Sequence, residues 1–213
     1  MQRVDTTEML VVHRAIRRET RLAAELVAKV ADGDRERVAV LGPHVAELLG
    51  LVHHHHAGED ELLWPVLTGR AQLEAELIGR MEAQHNAIDE LRRAAEPRLA
   101  AWRETAASET RDALADALAD LADRLEEHMA EEEQYVLPLV ADHLTVAEWE
   151  QLGERGMQGI PRSRLLMVLG SLLEEADEAE TAMFMAKLPA PARLLWKVSG
   201  RRRYGRQVAL IRG

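Results

Sequence analysis

The stretch His53-His54-His55-His56-Ala57-Gly58-Glu59-Asp60-Glu61, running directly into Leu62-Leu63-Trp64-Pro65, sets the plan of the chain. Four adjacent histidines before three acids look like an affinity tag, but they stand behind 52 other residues. A second stretch, Glu127-His128-Met129-Ala130-Glu131-Glu132-Glu133, runs into Tyr135-Val136-Leu137-Pro138. A shift of 73 residues lays His128 on His55, Glu132 on Glu59 and Pro138 on Pro65.

Helical periodicity selects one histidine of the four. Leu114, Leu118, Leu121, Leu125, His128, Glu132, Tyr135 and Leu139 keep the three-or-four spacing of a buried helix face. Their counterparts 73 residues earlier are Leu41, Val45, Leu48, Val52, His55, Glu59, Leu62 and Val66, apolar everywhere except at the His and the Glu. The competing register, through Leu49, Val52, His56, Asp60 and Leu63, has no counterpart in the second half. His55 and Glu59 are therefore read as core-facing, like His128 and Glu132. A second repeat joins the intervening segments: Met9-x3-His13-x2-Ile16 matches Met81-x3-His85-x2-Ile88, 72 residues later. A duplicated helical hairpin accounts for both repeats.

The rest of the chain agrees with a helical protein. Ala, Leu, Glu and Arg dominate its 213 residues and aromatic residues are only 3%, which fits an all-α fold. Asp5-Thr6-Thr7-Glu8 reads as a capping box that opens a first helix, closed by Asp32-Gly33-Asp34. A second helix is read over about 35–67, bent at Gly42-Pro43 and stopped at Gly69. The third covers about 71–103 with a kink near Pro97, and the fourth runs from an N-cap at Ser108 to about 141. Short connections between four long helices give an up-down antiparallel four-helix bundle over residues 1–144. Residues 145–213 read as an extension of shorter helices packed on the bundle. It opens with the capping box Thr145-Val146-Ala147-Glu148 and is broken at Gly153, Gly156, Gly159-Ile160-Pro161, Pro189 and Pro191.

Composition removes whole classes of function. There is no cysteine, hence no disulfide, thiolate metal site or cysteine nucleophile. A formal net charge of −10 argues against a nucleic-acid surface. The charge is uneven, because residues 193–212 hold seven Arg or Lys and no acid, leaving about −17 on the rest. That basic arm is expected to pair with the acidic bundle or a second chain, so an oligomer is possible. The N-terminus opens no signal-peptide run, and the most apolar segment, 165–173, is far short of a membrane span. A cytoplasmic protein with no membrane partner is the default expectation.

One His-x3-Glu pair is common on helix surfaces, and a lone core histidine usually just finds a hydrogen bond. Here each of four helices places a His on its core side, and two add a Glu. Burying four imidazoles and two carboxylates without partners would cost on the order of several kcal/mol. A dinuclear metal centre is the natural partner. Met9 and Met81 are read as pocket lining, and Tyr135 as a core residue near the site. His53, His54 and His56 are placed on solvent-facing or helix-interface sides, with His54 or His56 as candidates for an extra ligand. His44 and His143 read as surface or helix-end residues.

The ordered set His13, His55-x3-Glu59, His85 and His128-x3-Glu132 resembles the hemerythrin-like (HHE cation-binding) domain family, over about residues 8–142. The tail around Leu188-Pro189-Ala190-Pro191 also resembles the extension of actinobacterial members. The resemblance implies a four-helix bundle holding two Fe ions, bridged by the two carboxylates and by an oxo or hydroxo group. The oxygen-carrying members use a fifth His one turn earlier on the third helix, where Met81 stands here, and a final Asp at His-x4-Asp, where Glu132 follows at x3. Two His per iron with both Glu bridging leaves an open position on each iron. On that count the chain is read as a di-iron oxidoreductase, catalase-like or peroxidase-like, whose partner is H2O2, O2 or NO. The alternatives are a non-catalytic O2- or NO-binding, sensing or iron-holding protein, and a structural bundle whose basic arm docks an acidic partner.

Overall fold

The computed structural model describes residues 3–158, 160–161 and 163–213, and among these every regular element is helical. Of the positions read above, Met1, Gln2 and Gly159 lie outside the described residues. Helix α1 spans Thr7–Ala28. The Asp5 carboxylate accepts hydrogen bonds from the Thr7 backbone N–H at 3.0 Å and its hydroxyl at 2.6 Å, while Thr6 makes no side-chain cap. An aspartate turn thus replaces the expected capping box. Gly33 takes φ +73°, and Asp34 caps α2 (Arg35–Leu62) by accepting the Arg37 N–H at 2.9 Å.

Helix α2 continues through Pro43, since Leu41, Val45, Leu48, Leu49 and Val52 bury its face on both sides of the lost hydrogen bond. It stops at Leu62 rather than Leu67, and α3 (Trp64–Arg70) starts with Pro65 in its first turn. Proline offers no N–H to the preceding turn but suits the start of a new helix. After a 3₁₀ turn over Gln72–Glu74, α4 (Ala75–Thr105) runs uninterrupted through Pro97. Ala106, at φ +56°, turns the chain into α5 (Ser108–Glu131), which Ala107 precedes without a side-chain cap. Ser108 is therefore the first helical residue and not the cap; its N–H is taken by Asp32 at 2.7 Å. That bond, with Gly33 N–H to the Ala106 carbonyl at 2.9 Å, stitches two connections together at one end of the bundle.

A π-helical segment, Glu132–Val136, follows α5 and leads into α6 (Leu137–His143), again with a proline, Pro138, in its first turn. The doubled Pro seen in the sequence is thus a doubled helix break. Among the four long helices α1 packs broadly on α5, α5 on α4 and α4 on α2, while the α1–α2 seam is the thinnest. The core falls into two apolar clusters. One holds Leu41, Val45, Leu48, Ile88, Trp102, Leu118 and Leu125; the other holds Met9, Trp64, Leu67, Met81, Leu137 and Val140. At roughly 1.5–3 kcal/mol for each fully buried large aliphatic side chain, these clusters supply the stability that a polar layer between them draws on.

The extension lies against α1 and α2. Helix α7 (Val146–Gln158) opens with the expected capping box: Glu148 accepts the Thr145 N–H at 2.9 Å and Thr145 Oγ1 accepts the Glu148 N–H at 3.3 Å. It runs through Gly153 and Gly156, which were read as breakers. Interior glycine costs only about 1 kcal/mol, and Trp149 and Leu152 anchor the helix to the second cluster. Helices α8 (Leu165–Glu175) and α9 (Glu178–Lys187) pack along α1. Helix α10 (Ala190–Leu195), a π segment (Trp196–Gly200) and α11 (Arg201–Arg212) follow, with α11 touching α8 and α2.

Candidate metal centre

The six residues singled out from the sequence come together between the two apolar clusters. His13 stands on α1, His55 and Glu59 on α2, His85 on α4, His128 on α5, and Glu132 on the first residue of the π segment. All are buried except His55, whose side chain keeps 11% exposure. His13 Nε2 lies 3.4 Å from Glu132 Oε2, and His128 Nε2 lies 3.6 Å from the same oxygen. Glu59 divides its oxygens, with Oε1 at 3.4 Å from His55 Nε2 and Oε2 at 3.5 Å from His85 Nε2.

His56 joins them, which corrects its placement on a solvent or interface side. It is buried, stacks on His85 with ring centroids 4.3 Å apart, and meets His128 edge-on at 5.1 Å. A helix facing two neighbours buries a stripe at least 100° wide, so adjacent residues can both point inward. His55 turns towards α1, where its ring lies 5.2 Å from His13, and His56 turns towards α4. Glu59 is one turn from both. The signal for His56 was the second register, through Val52 and Leu63, both of which are buried. Tyr135 is corrected in the other direction: it is 49% exposed, because the π turn carries it out of the stripe of α5. His53 and His54 point away from the cluster, His143 ends α6, and His44 sits half-buried 3.5 Å from Glu19.

A layer of oxygens behind the rings fixes their protons. His13 Nδ1 donates to Glu133 Oε1 at 2.9 Å, and Arg17 holds that oxygen at 2.6 Å. His85 Nδ1 donates to Asp60 at 2.6 Å, and the Trp64 indole N–H donates to the same oxygen at 3.1 Å. His128 Nδ1 donates to Gln84 Oε1 at 3.0 Å, whose amide N–H₂ is taken by Glu131 at 2.7 Å. Carboxylate and amide oxygens only accept, so each Nδ1 carries the hydrogen and each Nε2 presents its lone pair to the centre. The π turn also puts consecutive glutamates to use, Glu132 towards the centre and Glu133 behind His13.

Of the inward atoms, Nε2 of His85 and Nε2 of His128 meet each other at 3.1 Å, and the others have nothing to bond. Nε2 of His13, His55 and His56 and both oxygens of Glu59 and Glu132 are buried without a hydrogen-bond partner. Burial first, then the neighbouring histidines, hold His55 and His56 far below the ordinary histidine value and take His128 to about 2. Burial and then Glu132 push Glu59 well above the usual carboxylate range, and burial raises Glu132 as well. Converging lone pairs on neutral imidazoles beside costly carboxylates are what a cation satisfies. Two sets of ligand atoms lie within 4.8 Å of one another: His56, Glu59, His85 and His128, and His13, His55, Glu59 and Glu132. Glu59 belongs to both.

An all-α bundle with such a cluster of His and Glu buried between its long helices defines a class of metal-binding helical protein. The model of the hemerythrin HHE cation binding domain matches residues 4–140, and the chain belongs to that family. No curated protein and no solved structure matches the chain.

Proposed function

We propose that the cluster is a non-haem di-iron centre that takes a small oxidant, O2, NO or H2O2. The observation behind this is the pair of donor sets sharing Glu59, with unsatisfied atoms from both aimed at the same buried space. Imidazole and carboxylate together suit iron better than calcium or magnesium, and the absence of thiolate removes the softer alternatives. Bound iron supplies redox electrons and a coordination position for the oxidant. The protein's own part would be to present Nε2 of His13, His55, His56, His85 and His128, to offer the carboxylates of Glu59, common to both sets, and of Glu132, and to keep water out with apolar clusters on both sides. Glu133, Asp60 and Gln84 hold the rings in the donor-ready tautomer.

Turnover of peroxide, catalase-like or peroxidase-like, is the reading in which only His13, His55, His85 and His128 would ligate and each iron would keep a position open. Binding and release without turnover is the second reading, and His56 favours it, since a third imidazole crowds the His85 and His128 side. Iron analysis tests the centre: about two Fe per chain in the wild type and one or fewer in His55→Ala and His128→Ala, because loss of a ligand weakens affinity at least 10–100-fold. Iron near zero in wild-type protein reconstituted anaerobically overturns it. Peroxide then separates the readings. Consumption far beyond protein concentration means turnover; a reversible, stoichiometric change in the visible spectrum means binding, and His56→Ala then raises peroxide consumption. No response to peroxide, O2 or NO sinks both.

A further inference from the structure

The C-terminal helices hold some side chains against the body and leave others exposed. Ile211 enters the first apolar cluster, the Tyr204 hydroxyl donates to Glu174, and Arg212 reaches Glu174 at 2.6 Å and Glu19 at 3.4 Å. Arg37 donates to the Leu210 carbonyl at 2.7 Å, fastening the end of α11 to α2. Among the described residues the expected pairing of the arm with the acidic bundle thus uses Arg212 alone of its seven cations. Lys197, Arg201, Arg202, Arg203 and Arg206 are exposed, and among the described residues no carboxylate lies within ion-pair distance of them. Elsewhere Arg14, Arg17, Arg18, Arg70, Arg155 and Arg164 all hold an acid.

The same helices leave aliphatic side chains exposed beside these cations in the sequence. Leu194 is 63% exposed and Val198 66%, with Leu195 and Leu210 about half exposed. Among the described residues helix α10 packs mainly on the π segment that follows it, and Leu194 and Leu195 are exposed. We propose that this exposed stretch binds the surface of an anionic lipid bilayer, lying in the interface without crossing it. Among the described residues no helix is long and apolar enough to cross a membrane. A lipid interface is the partner that offers negative headgroups and an apolar layer in one plane, with arginine and lysine stems reaching up past buried leucines. Nucleic acid would take the cations but offers nothing to four aliphatic side chains, and the aromatic groups that could stack on bases are committed: Trp196 is buried and Tyr204 is bonded to Glu174. The negative remainder of the chain is repelled by the same headgroups, which orients the arm towards the bilayer. This revises the expectation of no membrane partner, and it does not depend on the metal centre.

The test is co-sedimentation of the full chain with vesicles of phosphatidylcholine, alone or mixed with phosphatidylserine, at rising salt. Binding is expected to the mixed vesicles only, and to weaken as salt rises. The exposed triple variant Arg201→Glu, Arg202→Glu, Arg206→Glu should weaken it by at least about tenfold. Leu194→Ser with Val198→Ser should weaken it several-fold while leaving the cations in place. Unchanged thermal midpoints in both variants show that the fold is kept. The proposal is overturned by any of three results: no binding to mixed vesicles at low salt, binding indifferent to the leucine and valine changes, or self-association in sedimentation velocity that the arginine variant abolishes, which would make a second copy the partner.

Discussion

At the metal-free centre, histidines and glutamates respond to acid in opposite senses. His55, His56 and His128 stay neutral when buried, so below the ordinary histidine value of 6.5 the unfolded chain binds protons that the folded chain refuses. Their contribution is therefore lost as pH falls. Glu59 and Glu132 hold protons in the folded state above the ordinary glutamate value of 4.5, and their contribution is lost as pH rises. Below 4.5 Glu59 and Glu132 are protonated in either state, and each of the three histidines adds about 1.4 kcal/mol per pH unit to the loss from ion-paired acids held low, such as Glu148 and Glu174. Urea unfolding of the metal-free protein should show stability falling steeply from pH 4.5 downward, and His56→Leu should make that slope shallower by about 1.4 kcal/mol per pH unit. A slope that the substitution leaves unchanged would mean His56 is not buried in a neutral form. At this scale the sequence was informative because a polar residue on an apolar stripe stands out: His13, His55, Glu59, His85, His128 and Glu132 could all be picked from spacing. His56 was read only as a candidate for an extra ligand because periodicity marks the centre line of a helix face, whereas α2 faces both α1 and α4 and buries a wider band.

Between residues and bundle stand the helix breaks, which the sequence marked by their prolines but did not place. Gly69 looked like the stronger stop, yet Pro65 governs, because a proline starts a new helix more readily than it sits inside one. In the second half the same chemistry gives a π turn. Leu137 N–H reaches back to the Glu132 carbonyl, and Pro138 has no N–H with which to restore α-helical spacing to Gln134. No propensity scale registers such a turn, since it depends on one missing donor and on the neighbours that the turn serves. Its product is the pairing of Glu132 with the centre and Glu133 with His13. Pro138→Ala should let the segment rewind towards an α-helix and swing one of these glutamates away. We expect iron affinity to fall about 10–100-fold, as for loss of an outer partner, with a thermal midpoint no lower than the wild type. Metal titration beside calorimetry checks this; unchanged affinity would show that Pro138 does not hold the turn.

Across the whole molecule the extension covers what the bundle leaves thin. Helices α1 and α2 meet least closely, and they carry His13 and His55, the latter the most exposed of the cluster. Helices α8 and α9 lie along α1, while α7 and α11 lie on α2. Arg18 holds Glu19 at 2.8 Å and the Ser171 carbonyl at 3.0 Å, Arg14 holds Glu180 at 2.6 Å, and Arg155 holds Glu61 at 2.7 Å. Much of this attachment is polar and partly solvated, worth about 1 kcal/mol or less per ion pair, so the extension can open at a lower cost than the bundle. One apolar joint within it is tight. A Cβ added at Gly170 on α8 would lie 2.3 Å from the Tyr204 ring on α11, closer than carbon atoms approach, so Gly170→Ala must push the two helices apart. Overpacking of this kind costs about 1–3 kcal/mol. Because the joint lies outside the bundle, that cost should fall on opening of the extension and not on the metal-binding layer. Hydrogen exchange in Gly170→Ala should therefore quicken in α8 and α11 while α4 and α5 keep their protection. If the extension limits entry through the α1–α2 seam, iron removal by a small chelator should accelerate by about the same factor as opening does, roughly 5–150-fold for 1–3 kcal/mol. Faster exchange without faster removal would place the entry route elsewhere, between α4 and α5 or at the Asp60 edge of the site.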